Sequence, residues 1–389
     1  MSKSKSPRTV SVSQGIAQDT AFGAVTPPVY LSSTYTFEEF GRARQHEYSR
    51  TRNPTRDQLA ETLASLEGGA SGIVTASGMS ALDLALSILQ PHDLLLAPHD
   101  CYGGSYRLIQ SRAERGHFRT LFVDQNDRST LREALAHRPR LVLVETPSNP
   151  LMRIVDIAAV ASMAKKAGAK LAVDNTFLSP ALQNPLRLGA DFVIHSTTKY
   201  LNGHSDVVGG ALVTADRADG EELAAWASLT GITGSPFDAY LTLRGLRTLF
   251  PRIEAQQRSA TAIADLLVAH PAVQKVFYPG LARDPGHAIA SSQQKGFGAM
   301  LSFEANLGEA GLRTFISSLK LFTLAESLGG VESLIAHPAT MTHLGMGPAA
   351  RATAGISDSL LRLSVGLEDT QDLIDDLSEA LDAGLADER

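Results

Sequence analysis

The segment DFVIHSTTKYLNGHSD, residues 191–206, places hydroxyls and an amine directly after an apolar run. The run predicts an interior strand, and the residues that follow it include Ser196, Thr198 and Lys199. A lysine held in an apolar crevice loses solvation, so its pKa falls and the neutral amine can form a Schiff base with an aldehyde. For a lysine taken alone an exposed loop position is the commoner explanation, so the residues around Lys199 must decide.

Polar residues also follow two other strand-like runs. Glu145 ends the run RLVLVE, with Asn149 shortly after it, and Asp174 ends the run LAVD, with Thr176 shortly after it. Open sheets of parallel strands bind ligands beyond the carboxyl ends of their strands. We therefore expect the three polar ends to converge on one crevice, where an acid, an amine and hydroxyls favour a flat, charged, phosphorylated ligand.

Asp174 would be poorly solvated at the end of its run unless a cationic group met it. A protonated pyridine nitrogen is such a group, and a carboxylate beside it maintains the electron sink that defines pyridoxal phosphate (PLP) chemistry. A turn-forming aspartate is the alternative.

In TASGMSAL, Gly78 and Met79 stand at a predicted helix start, where backbone N–H groups can bind a phosphate, and Ser196 and Thr198 could add hydroxyls. A glycine that is merely permissive backbone is the alternative there.

Two further side chains could contact such a cofactor or its substrate. Tyr102, in HDCYGGSY, could stack on a pyridine ring, and an aromatic wedge in the core is the alternative. Arg362 alternates with Leu361 and Leu363 in LLRLSVG, so it faces away from the apolar side of a strand. Its guanidinium suits the carboxylate of an amino acid, whereas a solvated arginine on an edge strand is the alternative.

Between about residues 60 and 215, short apolar runs alternate with helix-period segments, which predicts crossover units and a mainly parallel sheet. The clearest strands are 140–145, 170–175 and 191–196. A crossover helix is predicted from the N-cap Asp156 to Gly168, and another helix is predicted to begin at Ser80.

The two ends of the chain differ from this middle part in their pattern of apolar and polar residues. After about residue 250, a helix over 252–270, the strands FGAMLSFEA and LLRLSVGL and a closing acidic helix indicate a second, smaller domain. Residues 1–60 contain few periodic segments, so they predict an arm that docks on another surface. The polar, basic start MSKSKSPRTV lacks the apolar core of a signal peptide and predicts a flexible terminus.

Composition disfavours several classes of function. The net charge of -6 argues against nucleic-acid binding, and no apolar run reaches the length of a membrane span. The single cysteine, Cys101, excludes an intrachain disulfide framework and fits a cytoplasmic protein. The spacing of His195, His204 and Asp206 matches no compact metal site, so no metal is expected. His337 and His343 are interpreted either as structural residues or as residues that support the site without contacting its ligand. A dinucleotide-binding oxidoreductase is disfavoured because the GxGxxG fingerprint is absent.

Seven motifs together carry a family resemblance across nearly the whole chain. They are YSRTRNPTR, SGMSAL, DCYGGSYR, ETPSNP, VDNTF, HSTTKYLNGHSD and AESLGGVESLIAHPATMTH. In this order they resemble the Cys/Met-metabolism family of PLP-dependent enzymes, which have the aspartate aminotransferase fold type I. The resemblance implies an α/β fold, with a mainly parallel sheet in the large domain and a smaller C-terminal α+β domain. The implied divisions are an arm over 1–60 that contacts a neighbouring subunit, a PLP-binding domain over 61–255 and a C-terminal domain over 256–389.

The resemblance also implies a role for each candidate residue. Lys199 would be the Schiff-base lysine and proton shuttle, Asp174 the partner of the pyridine nitrogen, and Tyr102 the stacking ring. Further cofactor contacts would come from Gly78, Met79, Thr176, Ser196 and Thr198, and from Tyr48 and Arg50 of a neighbouring subunit. The substrate α-carboxylate would be held by Arg362, Asn149 and Ser327, and the distal pocket would be lined by Glu47, Arg107 and Glu326. The active unit would be a dimer within a homotetramer.

The closest resemblance is to the bacterial members that form cystathionine by γ-replacement, from an O-acylhomoserine such as O-succinyl-L-homoserine and L-cysteine, in trans-sulfuration and methionine biosynthesis. The alternative within the family is γ-elimination, which cleaves L-cystathionine to L-cysteine, 2-oxobutyrate and ammonia. Glu47 stands where the synthases are expected to have aspartate, and glutamate there is also common in γ-lyases. A non-catalytic ligand-binding protein is disfavoured because both Lys199 and Arg362 are present.

Overall fold

The computed structural model describes residues 5–387. The α-helices are α1 Pro7–Ser13, α2 Pro54–Glu67, α3 Gly78–Leu86, α4 Gly103–Glu114, α5 Arg128–Ala136, α6 Ile157–Ala167, α7 Ser179–Leu182, α8 Arg217–Thr230, α9 Pro236–Leu246, α10 Leu249–Ala269, α11 His287–Gln293, α12 Glu309–Ser318, α13 Gly347–Ala354 and α14 Thr370–Asp387. The strands are β1 Ser71–Thr75, β2 Leu94–Pro98, β3 Arg119–Val123, β4 Leu141–Glu145, β5 Lys170–Asp174, β6 Phe192–Ser196, β7 Gly210–Thr214, β8 Val273–Phe277, β9 Met300–Ala305, β10 Thr323–Leu324, β11 Leu334–Ala336 and β12 Leu360–Ser364.

The chain folds into two compact units, and the first consists of residues up to Gln90 together with Lys170–Phe250. Its strands lie in the order β1, β7, β6, β5. β5 and β6 are parallel, with Asp174 opposite Ile194, whereas β7 is antiparallel to both β6 and β1. The carboxyl ends of β5 and β6 therefore lie side by side, which positions the polar residues that follow them.

The second unit consists of Pro91–Ala169 and the chain from Pro251 onward. It contains the parallel strands β4, β2 and β3 and a five-stranded sheet in the order β10, β11, β12, β9, β8. β12 is an interior strand, antiparallel to β11 and to β9. The helix α14 buries a stripe of leucines against this unit, namely Leu373, Leu377 and Leu381.

The predicted crossover helix is confirmed as α6. The Asp156 carboxylate accepts the N–H of Ala159 at 2.9 Å, and Gly168 ends the helix with a φ of 78°. The helix predicted from Ser80 begins earlier, at Gly78, because the Ser77 hydroxyl accepts the N–H of Ser80 and so acts as the N-cap.

The prediction of a flexible terminus over 1–10 is wrong for residues 7–10, which lie in α1. The Ser6 hydroxyl caps this helix, and Pro7 supplies a backbone already suited to its first position. The prediction's first residues, 1–4, lie outside the described part of the chain. The division into an arm, a PLP-binding domain and a C-terminal domain stays a prediction. Among the described helices, none combines the length and the apolar character that a membrane span requires.

Candidate active site

In the first unit, Thr176 ties the ends of β5 and β6 together. Its N–H donates to Asp174 Oδ1 at 3.0 Å, and its Oγ1 accepts the N–H of Ser196 at 2.9 Å. One threonine thus fixes the candidate pyridine partner relative to the first hydroxyl of the STTK segment. The sequence predicted this convergence from the polar residues at the strand ends.

The Asp174 side chain is half-buried, and its carboxylate is partly desolvated. Burial raises its pKa, while the hydroxyl and N–H of Thr176 and the nearby His195 oppose that rise. A cationic group in contact with this carboxylate would favour its ionised form. The local chemistry therefore fits a protonated pyridine nitrogen.

The start of α3 packs tightly on the end of β6. A Cβ on Gly78 would lie 2.7 Å from Cβ of Ser196, so a residue larger than glycine would need these elements to separate. Gly210 makes a second close approach, since a Cβ there would lie 2.1 Å from the carbonyl oxygen of Ser77. The first turn of α3, which includes Met79, is thereby held next to the Ser196 hydroxyl, where N–H groups and the helix dipole favour an anion.

Lys199 lies in the turn after β6 and is half-buried. Its N–H donates to the carbonyl of Ser196 at 3.3 Å, and its carbonyl accepts the N–H of Gly203 at 2.8 Å. The neighbouring Thr198 hydroxyl donates to the carbonyl of Gly209 at 3.2 Å and accepts that residue's N–H at 3.0 Å. Thr198 therefore braces the turn, and its role in phosphate binding stays a prediction.

A buried polar cluster lies beneath these strand ends. His195 Nε2 lies 2.7 Å from Glu67 Oε1, and both side chains are fully buried. Asn175 Nδ2 donates to the same carboxylate oxygen at 2.9 Å. Sequence reasoning considered His195 as a possibly buried strand residue and as a possible metal ligand, and it missed Glu67. The missed signal was a glutamate in the last turn of the apolar-faced helix α2.

In the second unit, Glu145 ends β4 and its carboxylate accepts two backbone N–H groups. Oε1 accepts that of Asn149 at 2.8 Å, and Oε2 accepts that of Tyr102 at 3.0 Å. Glu145 is 8% exposed, so these bonds compensate a carboxylate that solvent can barely reach. The sequence marked Glu145 as a polar strand end but did not assign it this role.

Arg362 lies on the interior strand β12 and is 2% exposed, so the alternative of a solvated edge-strand arginine is wrong. Nη1 donates to Asn149 Oδ1 at 2.9 Å, and Nη2 donates to the carbonyl oxygen of Ser327 at 2.8 Å. Ser327 contributes its carbonyl from a φ of 95°, a conformation that costs a non-glycine residue energy and clusters at functional sites. The structure thus brings together the three residues predicted to hold a substrate carboxylate.

His343 is fully buried beside this group. Its Nε2 lies 3.0 Å from the carbonyl oxygen of Asn149, and its ring meets the Tyr102 ring edge-on at 6.4 Å between centroids. Burial, together with the positive charge of Arg362, lowers the pKa of His343 to about 4. The imidazole is therefore neutral at physiological pH.

The remaining predicted residues are exposed. Arg107 lies on α4 and donates to the carbonyl of Gly103 at 3.4 Å, and Glu326 lies in the loop after β10. In the segment before α2, the Arg50 guanidinium lies 5.9 Å from the Tyr48 ring centre and also contacts the carbonyl of Ser228. Glu47 precedes this pair, and its carbonyl accepts the N–H of Tyr35 at 3.1 Å.

Comparison with known proteins places this chain in a family. Residues 8–382 match the family model described as "Cys/Met metabolism PLP-dependent enzyme". The chain belongs to this family. The predicted enzyme class and the predicted cofactor, PLP, are thereby confirmed.

The relatives include both synthases and lyases. A cystathionine gamma-synthase of Escherichia coli K12 is 59% identical over 96% of this chain and 97% of the relative. A cystathionine gamma-lyase of Bacillus subtilis 168 is 44% identical over 96% of this chain and 99% of the relative. A similar solved structure is the crystal structure of cystathionine gamma synthase from Xanthomonas oryzae pv. oryzae in complex with aminoacrylate and cysteine. Its sequence is 58% identical to this chain, and the two structures superimpose with a TM-score of 0.98 over 99% of this chain and 100% of that chain. The predicted fold class and the resemblance to bacterial cystathionine γ-synthase are confirmed.

Proposed function

We propose that this enzyme catalyses γ-replacement on an O-acylhomoserine, in the first place O-succinyl-L-homoserine, with L-cysteine to give L-cystathionine. The observation that carries the proposal is the 59% identity to a cystathionine gamma-synthase, which exceeds the 44% identity to a cystathionine gamma-lyase at equal coverage. In the reaction the Cγ–O bond of the acylhomoserine breaks and a Cγ–S bond forms, and the thiol proton balances the carboxylate that leaves. The product belongs to trans-sulfuration and methionine biosynthesis.

The residues of the first unit fit PLP. The amine of Lys199 follows a strand end, and the half-buried acid Asp174 suits a pyridinium nitrogen. The start of α3 lies next to Ser196, where backbone N–H groups suit a phosphate. When bound, PLP supplies an electron sink that stabilises negative charge at the carbons next to the substrate amine. We assign Gly78, Met79, Thr176, Ser196 and Thr198 to contacts with this cofactor.

Lys199 is the proposed covalent attachment point and proton carrier. Its Nζ takes the proton from the substrate α carbon and returns a proton at a later step, so it acts first as a base and then as an acid. Asp174 would keep the pyridine nitrogen of bound PLP protonated, and the Thr176 N–H holds the carboxylate in place for that contact. The ring of Tyr102 is assigned to stacking on the cofactor.

Arg362 and Asn149 are the proposed clamp for the substrate α-carboxylate. The guanidinium suits a carboxylate because it offers several N–H donors in one plane. With its oxygen bound to Arg362, the Asn149 amide keeps its two N–H donors for another acceptor. Ser327, through its carbonyl, helps to fix the guanidinium.

Arg107, Glu47 and Glu326 are assigned to the distal end of the substrate. The cation of Arg107 suits the free carboxylate of a succinyl group, and the acids suit the ammonium group of the incoming cysteine. A comparison of O-succinyl- with O-acetyl-L-homoserine tests this assignment. Replacement of Arg107 by Leu should reduce the preference for the succinyl ester, because only that ester carries a second carboxylate.

We also propose a homotetramer built from active dimers, in which Tyr48 and Arg50 contact the cofactor phosphate of the neighbouring subunit. Large apolar side chains of the first 50 residues support this, since Phe22 and Phe40 are almost wholly exposed in the single chain. We assign the enzyme to the cytoplasm, where its single buried cysteine, Cys101, would stay reduced.

The test is a product analysis of the purified PLP-loaded enzyme. O-succinyl-L-homoserine is supplied with and without L-cysteine, and L-cystathionine alone is supplied in parallel. Cystathionine that forms only with cysteine, with slow cleavage of added cystathionine, supports the proposal. The variant Lys199→Ala should lose turnover, whereas Lys166→Ala, at the exposed end of α6, should retain it.

Rapid cleavage of L-cystathionine to L-cysteine, 2-oxobutyrate and ammonia, with little synthesis, would instead identify a γ-lyase. Glu47 and the Bacillus subtilis relative favour that second candidate. Both reactions begin with loss of the α proton and of the γ substituent, so the same clamp and lysine serve either one. The ratio of synthesis to cleavage separates the two.

A further inference from the structure

We infer that Glu145 and His343 are positioning residues for the substrate carboxylate, because together they fix the peptide groups of Asn149 on either side of its side chain. This inference rests on the proposed function, which makes Asn149 and Arg362 the carboxylate clamp. Neither positioning residue is assigned to contact the substrate. They act through Asn149.

Asn149 is held at three points. Its N–H donates to Glu145 Oε1 at 2.8 Å, its carbonyl lies 3.0 Å from His343 Nε2, and its side-chain oxygen lies 2.9 Å from Arg362 Nη1. An asparagine on a loop would otherwise choose among several rotamers and lose that freedom when a substrate binds. With the backbone fixed on both sides, the amide meets the guanidinium in one orientation before the substrate arrives.

The partners of His343 define its tautomer. A carbonyl oxygen only accepts hydrogen bonds, so Nε2 must carry the hydrogen that points at Asn149. Nδ1 is then the acceptor, and it lies 2.8 Å from the hydroxyl of Thr342, which can donate to it. A neutral imidazole therefore satisfies both neighbours without placing another positive charge beside Arg362.

Both positioning residues also contact the residue assigned to cofactor stacking. Glu145 Oε2 accepts the N–H of Tyr102 at 3.0 Å, and the His343 ring lies edge-on to the Tyr102 ring. The backbone after Tyr102 is close as well, because a Cβ on Gly103 would lie 2.8 Å from the carbonyl oxygen of Thr342. The same two side chains thus set Asn149 and Tyr102 relative to each other.

The test measures the equilibrium dissociation constants of two ligands from the absorption change of the bound PLP. L-2-Aminobutyrate carries the carboxylate, and propylamine has the same carbon chain without it. His343→Phe removes the donor to Asn149 but keeps an aromatic ring. It should raise the Kd of L-2-aminobutyrate by about 2- to 12-fold, the effect of one hydrogen bond, and leave that of propylamine within about twofold.

Two further variants separate the contacts. His343→Gln keeps an N–H donor and should raise the L-2-aminobutyrate Kd less than His343→Phe does. Glu145→Gln should raise the L-2-aminobutyrate Kd more than His343→Phe does, because the new NH2 group would face a backbone N–H donor. His343→Phe removes the contact to the Asn149 carbonyl, and Glu145→Gln alters the contact to the backbone N–H groups. If one of these variants fails to fold, the other still tests the inference.

Matched controls come from buried groups that bond elsewhere in this unit. His270→Gln alters a buried histidine that accepts the N–H of Ala272 at 3.2 Å, and Asp376→Asn neutralises a buried carboxylate that accepts backbone N–H groups from 320–322. Both should keep the wild-type constants for both ligands.

An unchanged ratio of the two dissociation constants in both His343→Phe and Glu145→Gln would overturn the inference, and so would an equal rise for both ligands, which marks general distortion. Neither measurement requires γ-replacement. A wild-type enzyme that binds L-2-aminobutyrate but forms no cystathionine would therefore contradict the proposed function alone.

Discussion

Arg362 and Asn149 are 213 residues apart in the chain, yet Nη1 of the arginine lies 2.9 Å from Oδ1 of the asparagine. Both side chains are almost fully buried, at 2% and 4% exposure. A buried guanidinium requires compensating acceptors, and the amide oxygen of Asn149 and the carbonyl of Ser327 supply two of them. This contact joins the interior strand β12 to the loop after β4.

Replacement of Arg362 by Leu should lower kcat/KM for O-succinyl-L-homoserine by about a hundredfold or more, the scale for loss of a buried charged contact. Arg362→Lys should recover only part of that loss, since an ammonium group cannot contact Asn149, Ser327 and a carboxylate in one plane. Steady-state kinetics provide the measurement, and the buried Arg252 of α10, changed to Lys, is the matched control. Wild-type kinetics in Arg362→Leu would contradict the carboxylate assignment.

Gly78→Ala should weaken PLP binding. The new methyl group would lie 2.7 Å from Cβ of Ser196, so α3 must move away from the end of β6 and carry with it the N–H groups that we propose bind the phosphate. We expect a loss of about 1–3 kcal/mol, the usual effect of overpacking, divided between the free energy of unfolding and that of cofactor binding. Titration of the apoenzyme with PLP measures the second part.

The double variant Gly78→Ala/Ser196→Gly tests the packing part of that prediction through the free energy of unfolding alone, because it also removes a hydroxyl that we assign to the cofactor. It removes the Ser196 Cβ and should restore part of the packing, although the main chain of residue 196 would still lie 2.9 Å from the new methyl group. Equal PLP affinity in the wild type and Gly78→Ala would show that the close approach does not shape the phosphate site.

The stability of the enzyme should depend on pH through His343. Its pKa is lowered to about 4 in the folded chain from the ordinary 6.5, so the unfolded chain binds the proton more readily between these values. The stability contribution is therefore present above pH 6.5 and is lost as the pH falls toward 4. Between pH 7 and pH 5 the loss is about 2 kcal/mol per chain.

Thermal unfolding of the wild type and His343→Gln at several pH values measures this dependence. The variant should be less stable at pH 7, but the difference between the two proteins should shrink by about that amount at pH 5, because glutamine does not titrate. Other titrating groups are common to both proteins and cancel in the comparison. A difference that stays constant over this range would mean that His343 is not held neutral.

Two impaired variants should complement each other if Arg50 serves the neighbouring subunit. Arg50→Ala and Lys199→Ala are each expected to be impaired, but a mixed dimer has one site with both residues intact. After mixing, dissociation and reassembly, about a quarter of all sites should be active, from random pairing in a two-fold dimer. Activity no higher than the sum of the separate variants would mean that both residues act within one chain.

The sequence by itself determined the elements and their polar ends. Apolar runs bounded by Asp174, Glu145 and Ser196 predicted strands whose carboxyl ends carry chemistry, and the caps Asp156 and Gly168 predicted the helix between two of them. These signals are local, because strand burial and helix capping depend on residues within a few positions. Motif order added the family and the cofactor.

The tertiary structure alone decided which partners these residues have. Glu67 beneath His195, and the bonds of Glu145 and His343 to Asn149, join positions that are distant in sequence or that carry no signal of their own. The same holds for Arg362. The sequence pattern around it fits an edge strand as well as an interior one, and only the pairing of β12 with both β11 and β9 shows that its strand is interior. Pairing in space follows from how the strands are ordered and packed, and the spacing of residues along the chain does not encode that order.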